Sequence, residues 1–158
     1  MSTVIQQPNR HVEVTPVITT TAYNANDQVG GLITLQVATS QATSIELKSI
    51  CVCDKSTQAA ALEFIFFSTT PAQTSVDNGT LSVPDASSTF FEGHVTVGTG
   101  DYKTLALNCF ANVKNIGAKM ATSSDGQLFC LVRTTGTPTY AVGDLTFKFQ
   151  FEVKGRKD

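Results

Sequence analysis

Leu145-Thr146-Phe147-Lys148-Phe149-Gln150-Phe151-Glu152-Val153 alternates apolar and polar residues without a break. Successive side chains of a strand point to opposite faces, so Leu145, Phe147, Phe149, Phe151 and Val153 share one face. Thr146, Lys148, Gln150 and Glu152 share the other. A helix, with its period near 3.6, would spread the three phenylalanines around its circumference. The stretch therefore predicts a strand with one face on a core and one in water, as antiparallel sheets allow.

Upstream, Leu128-Phe129-Cys130-Leu131-Val132 and Leu62-Glu63-Phe64-Ile65-Phe66-Phe67 are apolar on both faces and predict strands covered on both sides. Ile45 and Leu47 alternate on odd positions, whereas Ile50 and Val52 alternate on even ones. That phase slip predicts a β-bulge around Lys48-Ser49. From Thr104 to Val113, the residues Leu105, Leu107, Cys109, Ala111 and Val113 read as one face of a single strand. A period-two pattern starts at Val12 and Val14 and continues through Val17, Thr19 and Thr21, and further strands are expected at Leu32–Val37 and His94–Val97. Tyr23–Asp27, Asp54–Thr57 and Ser124–Gly126 carry turn residues. Asn78-Gly79, between Ser75-Val76 and Thr80–Val83, predicts a two-residue β-hairpin. Pro84–Ser88 is the one candidate for a helical turn.

About eight to nine short strands with almost no helix define an all-β fold. Long irregular connections at 68–80 and 114–126 favour a jelly-roll-like antiparallel β-sandwich over a meander. At 158 residues the chain fits one domain. Its expected parts are an extended polar N-terminal arm at 1–11, a single sandwich at 12–154 and a short tail at 155–158.

Charged residues make up 15% of the chain, against roughly 25% in typical soluble domains. Eleven basic against 13 acidic residues give a net charge of -2, which argues against a nucleic-acid partner. Hydroxyl replaces charge: 23 Thr and 12 Ser favour strands joined by tight loops. No apolar run reaches the ~20 residues of a membrane helix, so no membrane partner is expected. The first residues lack a basic segment followed by an apolar one, and synthesis in a reducing cytosol is expected. Cys51, Cys53, Cys109 and Cys130 have no zinc-site spacing and only His11 and His94 for company. The expectation is four reduced thiols in the core, with no disulfide and no metal.

Nothing in the chain predicts catalysis. Two isolated histidines, no G-x-S-x-G elbow, no phosphate loop and singly scattered carboxylates leave no catalytic residue and no cofactor to name. Asn78-Gly79-Thr80 is a formal glycosylation sequon, but the turn reading takes precedence. Trp is absent, so a glycan platform would rest on Tyr102 beside Asp101 and on Tyr140. Phe90-Phe91 is either a plug closing one end of the sandwich or an exposed anchor for a partner, and the plug is the expectation.

Three segments together resemble a known group. They are Thr21-Ala22-Tyr23-Asn24-Ala25-Asn26-Asp27-Gln28-Val29-Gly30-Gly31-Leu32, Val52-Cys53-Asp54-Lys55-Ser56-Thr57-Gln58-Ala59-Ala60-Ala61-Leu62, and Gly136-Thr137-Pro138-Thr139-Tyr140-Ala141 with Asp144-Leu145-Thr146. Their order over residues 12–153 is similar to small all-β structural proteins of tailed bacteriophages, often encoded in the head-gene region. The resemblance implies a capsid decoration or cement protein on the virion surface, made in the host cytoplasm. Its partner would be the major capsid protein, whose subunits it would bridge, and it would form a homo-oligomer, trimer or dimer. Candidate contact residues are Val4, Ile5, Gln6, Gln7, Pro8 and Arg10 of the arm, with Phe90 and Phe91. The alternative is a tail or baseplate module recognising a cell-surface glycan or receptor.

Overall fold

A computed structural model describes residues 9–73 and 75–156. The alternating C-terminal stretch forms β10 (Leu145–Arg156), and Leu145, Phe147, Phe149 and Phe151 are fully buried on its inner face. β1 (Asn9–Val14) and β3 (Ala42–Asp54) flank it, both antiparallel. Beyond β3, β7 (Cys109–Val113) lies along Ile50–Asp54 and β8 (Ala118–Met120) along Ile45–Leu47. β6 (Tyr102–Thr104) pairs with β7 and completes a six-stranded sheet. The second sheet runs β2 (Ile33–Gln36), β9 (Gln127–Thr134), β4 (Leu62–Phe67) and β5 (Phe91–Val97). The fold is an all-β sandwich. Its pairings are nested, β4 with β5, β3 with β7, β2 with β9 and β1 with β10, as though one long hairpin were wrapped around the core.

The phase slip in β3 is a bulge. Ser49 pairs with Gln150 and Leu47 with Phe151, leaving Lys48 as the extra residue. With that one insertion, Ile45, Leu47, Ile50 and Val52 all face the core and are fully buried. Between the sheets, the Phe64 ring meets Phe147 at 5.0 Å and Phe149 at 5.7 Å, both edge-on. β4 and β9 are apolar on both faces because the four-stranded sheet also carries a small outer core. Phe67, Phe129 and Leu131 lie there under Leu32, Ile65, Leu81 and Val83.

Four expectations change. The described residues form ten strands, because three-residue β6 and β8 arise from segments that sequence assigned elsewhere. The run Thr104–Val113 is not one strand. It reverses at Leu105–Asn108, where the Leu105 N–H donates to the Asn108 carbonyl at 2.8 Å, and Leu107 is left 83% exposed. Alternation survives such a reversal, so the pattern conceals it. Asn78 and Gly79 do form a turn, with Asn78 at φ 62°, but its flanks build no hairpin. They bond to Asn26–Gln28 instead: Gln28 N–H to the Gly79 carbonyl at 2.8 Å and Leu81 N–H to the Asn26 carbonyl at 3.0 Å. Last, Asn9, Arg10 and His11, assigned to the arm, already belong to β1. The helical turn α1 (Asp85–Ser88) follows Pro84 as expected.

Candidate functional site

The segments Thr21–Leu32, Val52–Leu62 and Gly136–Thr146 are far apart in sequence, yet they pack together beside the core. Tyr23 N–H donates to the Pro138 carbonyl at 2.9 Å, and Asn26 N–H to the Thr134 carbonyl at 2.7 Å. The Tyr23 and Tyr140 rings meet edge-on at 6.0 Å. Thr139 N–H reaches Gln58 Oε1 at 3.2 Å, and Tyr102 donates its hydroxyl to the Ala60 carbonyl at 2.9 Å. Asp54, 1% exposed, accepts from the Ser56 and Ala59 N–H groups and from the Ser56 hydroxyl. These contacts hold loops in place.

Asp77 organises the same region from a connection that sequence reads as irregular. Its carboxylate accepts the Tyr23 hydroxyl at 2.7 Å, the Gly30 N–H at 2.6 Å and the Thr19 N–H at 2.7 Å. No local signal marks Asp77, because all three donors lie 47 to 58 residues away. Hydrogen bonds to a charged group contribute about 1.5–3 kcal/mol. Asp77→Ala is therefore expected to destabilise by about 1.5–3 kcal/mol, read as a lower urea midpoint with unchanged slope. Asn78 lends its side-chain amide to Thr19 Oγ1 at 3.0 Å and the Thr21 carbonyl at 3.1 Å, which gives the sequon asparagine a structural use.

Burial raises the pKa of Tyr23, Tyr102 and Tyr140 above the ordinary tyrosine value, with the Asp77 hydrogen bond adding at Tyr23 and the Asp54 charge at the other two. The folded state then keeps protons that the unfolded chain releases near pH 10. Stability is expected to begin falling as pH rises past about 8.5–9, where the unfolded chain releases thiol protons that buried Cys109 and Cys130 keep, and to fall faster past 10, measured as urea midpoints from neutral to alkaline pH. Tyr102→Phe should blunt the alkaline loss.

The proposed contact residues scatter. Val4, Ile5, Gln6, Gln7 and Pro8 lie outside the described residues. Arg10 is a β1 residue whose Nε donates to the Gln36 carbonyl at 3.4 Å, tying an edge of one sheet to an edge of the other. Phe90 and Phe91 are 38% and 47% exposed, so they plug nothing. Phe91 lies instead over the outer core of the four-stranded sheet, beside buried Phe67. Its ring is 6.3 Å from Phe67 and stacks on His94 at 6.2 Å. Phe91, His94, Ile65, Glu63 and Arg133 line a shallow depression of about 240 Å³, with Arg133 paired to Glu63.

The glycan platform loses its residues. Tyr140 is 2% exposed, Tyr102 has its hydroxyl tied to Ala60, and Asp101 accepts the Gly98 N–H at 2.8 Å. The thiols also depart from expectation. Cys109 and Cys130 are buried and all four are unbridged, but Cys51 and Cys53 lie half-exposed on the outer face of the six-stranded sheet. Since Ile50 and Val52 face inward, alternation sends their neighbours outward.

That outer face is polar over most of its area. Lys48 bridges Glu46 and Glu152, each at 3.1 Å, and Lys154 reaches Glu46 at 2.6 Å. The lysines hold the Glu46 carboxyl below its usual range. This network borders an open groove of about 770 Å³ that also takes in Asn112, Lys114 and Gln150. Apolar exposure concentrates at the other end, where Leu105 (52%) and Leu107 sit in the β6–β7 turn and Phe110 projects from β7. Sequence reasoning missed the two leucines by assigning them to the face of Cys109, Ala111 and Val113; Asn108, a turn residue inside the run, is the signal that marks the reversal. Among the described residues, no helix is long and apolar enough to cross a membrane. No known family's model matches the chain, and no curated protein matches it.

Proposed function

We propose that this chain is a non-enzymatic virion structural protein of a tailed bacteriophage, a capsid cement or decoration protein that binds the outer head surface and bridges shell subunits. The phage-like order of segments over residues 12–153 motivates the reading, and the packing of those segments against one another is consistent with it. Nested strand pairing supports taking the sandwich as a jelly roll. The observation that carries a docking role is the leucine-tipped β6–β7 turn. Leu105, Leu107 and Phe110 expose large apolar side chains within six positions, which favours contact with another protein surface. In this reading the partner is the major capsid protein and the chain acts as a dimer or trimer.

Quantitative mass spectrometry of purified virions tests the assignment. A copy number comparable with the major shell protein supports cement; a few copies per particle move the chain to the tail, and absence refutes the virion role. On isolated shells, Leu105→Ser with Leu107→Ser is expected to weaken attachment at least about tenfold while the melting profile stays unchanged.

A further inference from the structure

Cys51 and Cys53 stand two apart on β3 with both side chains on the outer face of the sheet, half-exposed and unbridged. Two positions along a strand span about 6.6 Å, and same-face Cβ atoms are separated by about as much. A disulfide draws its Cβ atoms to about 3.8 Å, so direct bonding strains the strand. One atom between the sulfurs removes the conflict. With metal–sulfur bonds of about 2.3 Å, a linear S–metal–S bridge spans about 4.6 Å.

The surroundings select the kind of metal. Across the ladder, Lys148 and Asn112 flank Cys51, while Thr146 and Phe110 flank Cys53. None of these supplies a third thiolate or imidazole, and the described residues contain no group of three or more His, Cys, Asp or Glu able to hold a metal. Tetrahedral zinc therefore lacks ligands, whereas soft d10 ions accept two thiolates. A depression of about 290 Å³, lined by Cys53, Phe110, Thr146, Lys148 and Glu13, opens the Cys53 thiol to solvent.

We propose that Cys51 and Cys53 form a two-coordinate site for a soft monovalent metal ion, cuprous copper being the physiological case. Binding releases both thiol protons and moves no electron: Cu⁺ and two R–SH give [Cu(SR)₂]⁻ and two H⁺. The complex carries one negative charge, and the Lys148 ammonium, opposite Cys51, faces it. The site shares Phe110 with the proposed docking surface, but its two ligands come from β3 alone.

Anaerobic titration of the reduced full-length protein with cuprous ion, buffered by bathocuproine disulfonate, tests the site. One copper per chain is expected. Cys51→Ser and Cys53→Ser should each weaken binding at least roughly tenfold, while Cys109→Ser, or Cys130→Ser if it folds better, binds like the parent. Unchanged circular dichroism and melting in the Cys51 and Cys53 variants establish that the fold is intact. Native mass spectra should show a single bound copper, lost in either outer-face variant. No binding against the chelator, binding as tight as the parent's in the Cys51 and Cys53 variants, or isolation of a Cys51–Cys53 disulfide from anaerobic, reduced protein would each overturn the proposal.

Discussion

Phe64→Ala is expected to lower the stability of this protein by about 3–5 kcal/mol. The Phe64 side chain comes from the middle of β4, is fully buried, and touches two rings of the opposite sheet, Phe147 and Phe149. Removing it deletes the contacts that join the layers and leaves a cavity that two rigid sheets cannot close. For a chain of 158 residues the loss corresponds to roughly 6–20 °C in Tm. Phe91→Ala provides the contrast. That ring is 47% exposed and should cost less than about 1 kcal/mol. Equal losses in the two variants, by calorimetry or urea midpoint, would show that the inter-sheet ring cluster is not what holds the layers together.

Gly126→Ala should destabilise by about 3 kcal/mol or more. Gly126 has φ +77°, and a Cβ placed on it would lie 2.3 Å from the Ala38 carbonyl oxygen and 2.8 Å from that of Ser40. Both obstacles are backbone, which no rotamer change relieves. The Gly126 carbonyl also accepts the Val37 and Ala38 N–H groups, each at 3.0 Å, so a shift here breaks the clamp between the chain after β2 and the turn before β9. Gly143, at φ +83° with nothing within 4 Å of an added Cβ, separates the two causes. Gly143→Ala bears only the left-handed backbone penalty, about 1 kcal/mol. Near-equal urea midpoints for the two alanine variants would refute the close approach at Gly126.

The strands with strong periodicity were legible before any coordinates. Leu145–Val153 could take only one orientation, and the phase slip between Leu47 and Ile50 located the bulge to the pair Lys48-Ser49. Even the exposure of Cys51 and Cys53 was written in the pattern, because the period that turns Ile50 and Val52 inward turns them outward. The general tendency of thiols to be buried is a weaker guide than strand alternation, and it led to the wrong face. Leu105 and Leu107 show the opposite failure. Their alternation is genuine, but a chain that reverses at Asn108 keeps its period while changing its environment.

The candidate sites were less legible than the fold. Phe90 and Phe91 read as a plug for one end of the sandwich, since hydrophobicity does not say whether a ring lands inside or on the surface; Phe91 rests outside, against Phe67. Asp77 looked like one more polar loop residue. Its partners, Thr19, Tyr23 and Gly30, reach it only after the sandwich has closed.

By itself, then, the amino-acid sequence determined the all-β class, the inward faces of β3 and β10, the two-sided burial of β4 and β9, and the neighbourhood of the bulge. Those depend on local alternation, which each strand carries within its own residues. Only the tertiary structure decided how the strands nest, where Asp77 finds its donors and which phenylalanines remain in water. Those depend on contacts between residues tens of positions apart, and no local pattern encodes which distant surface will arrive first.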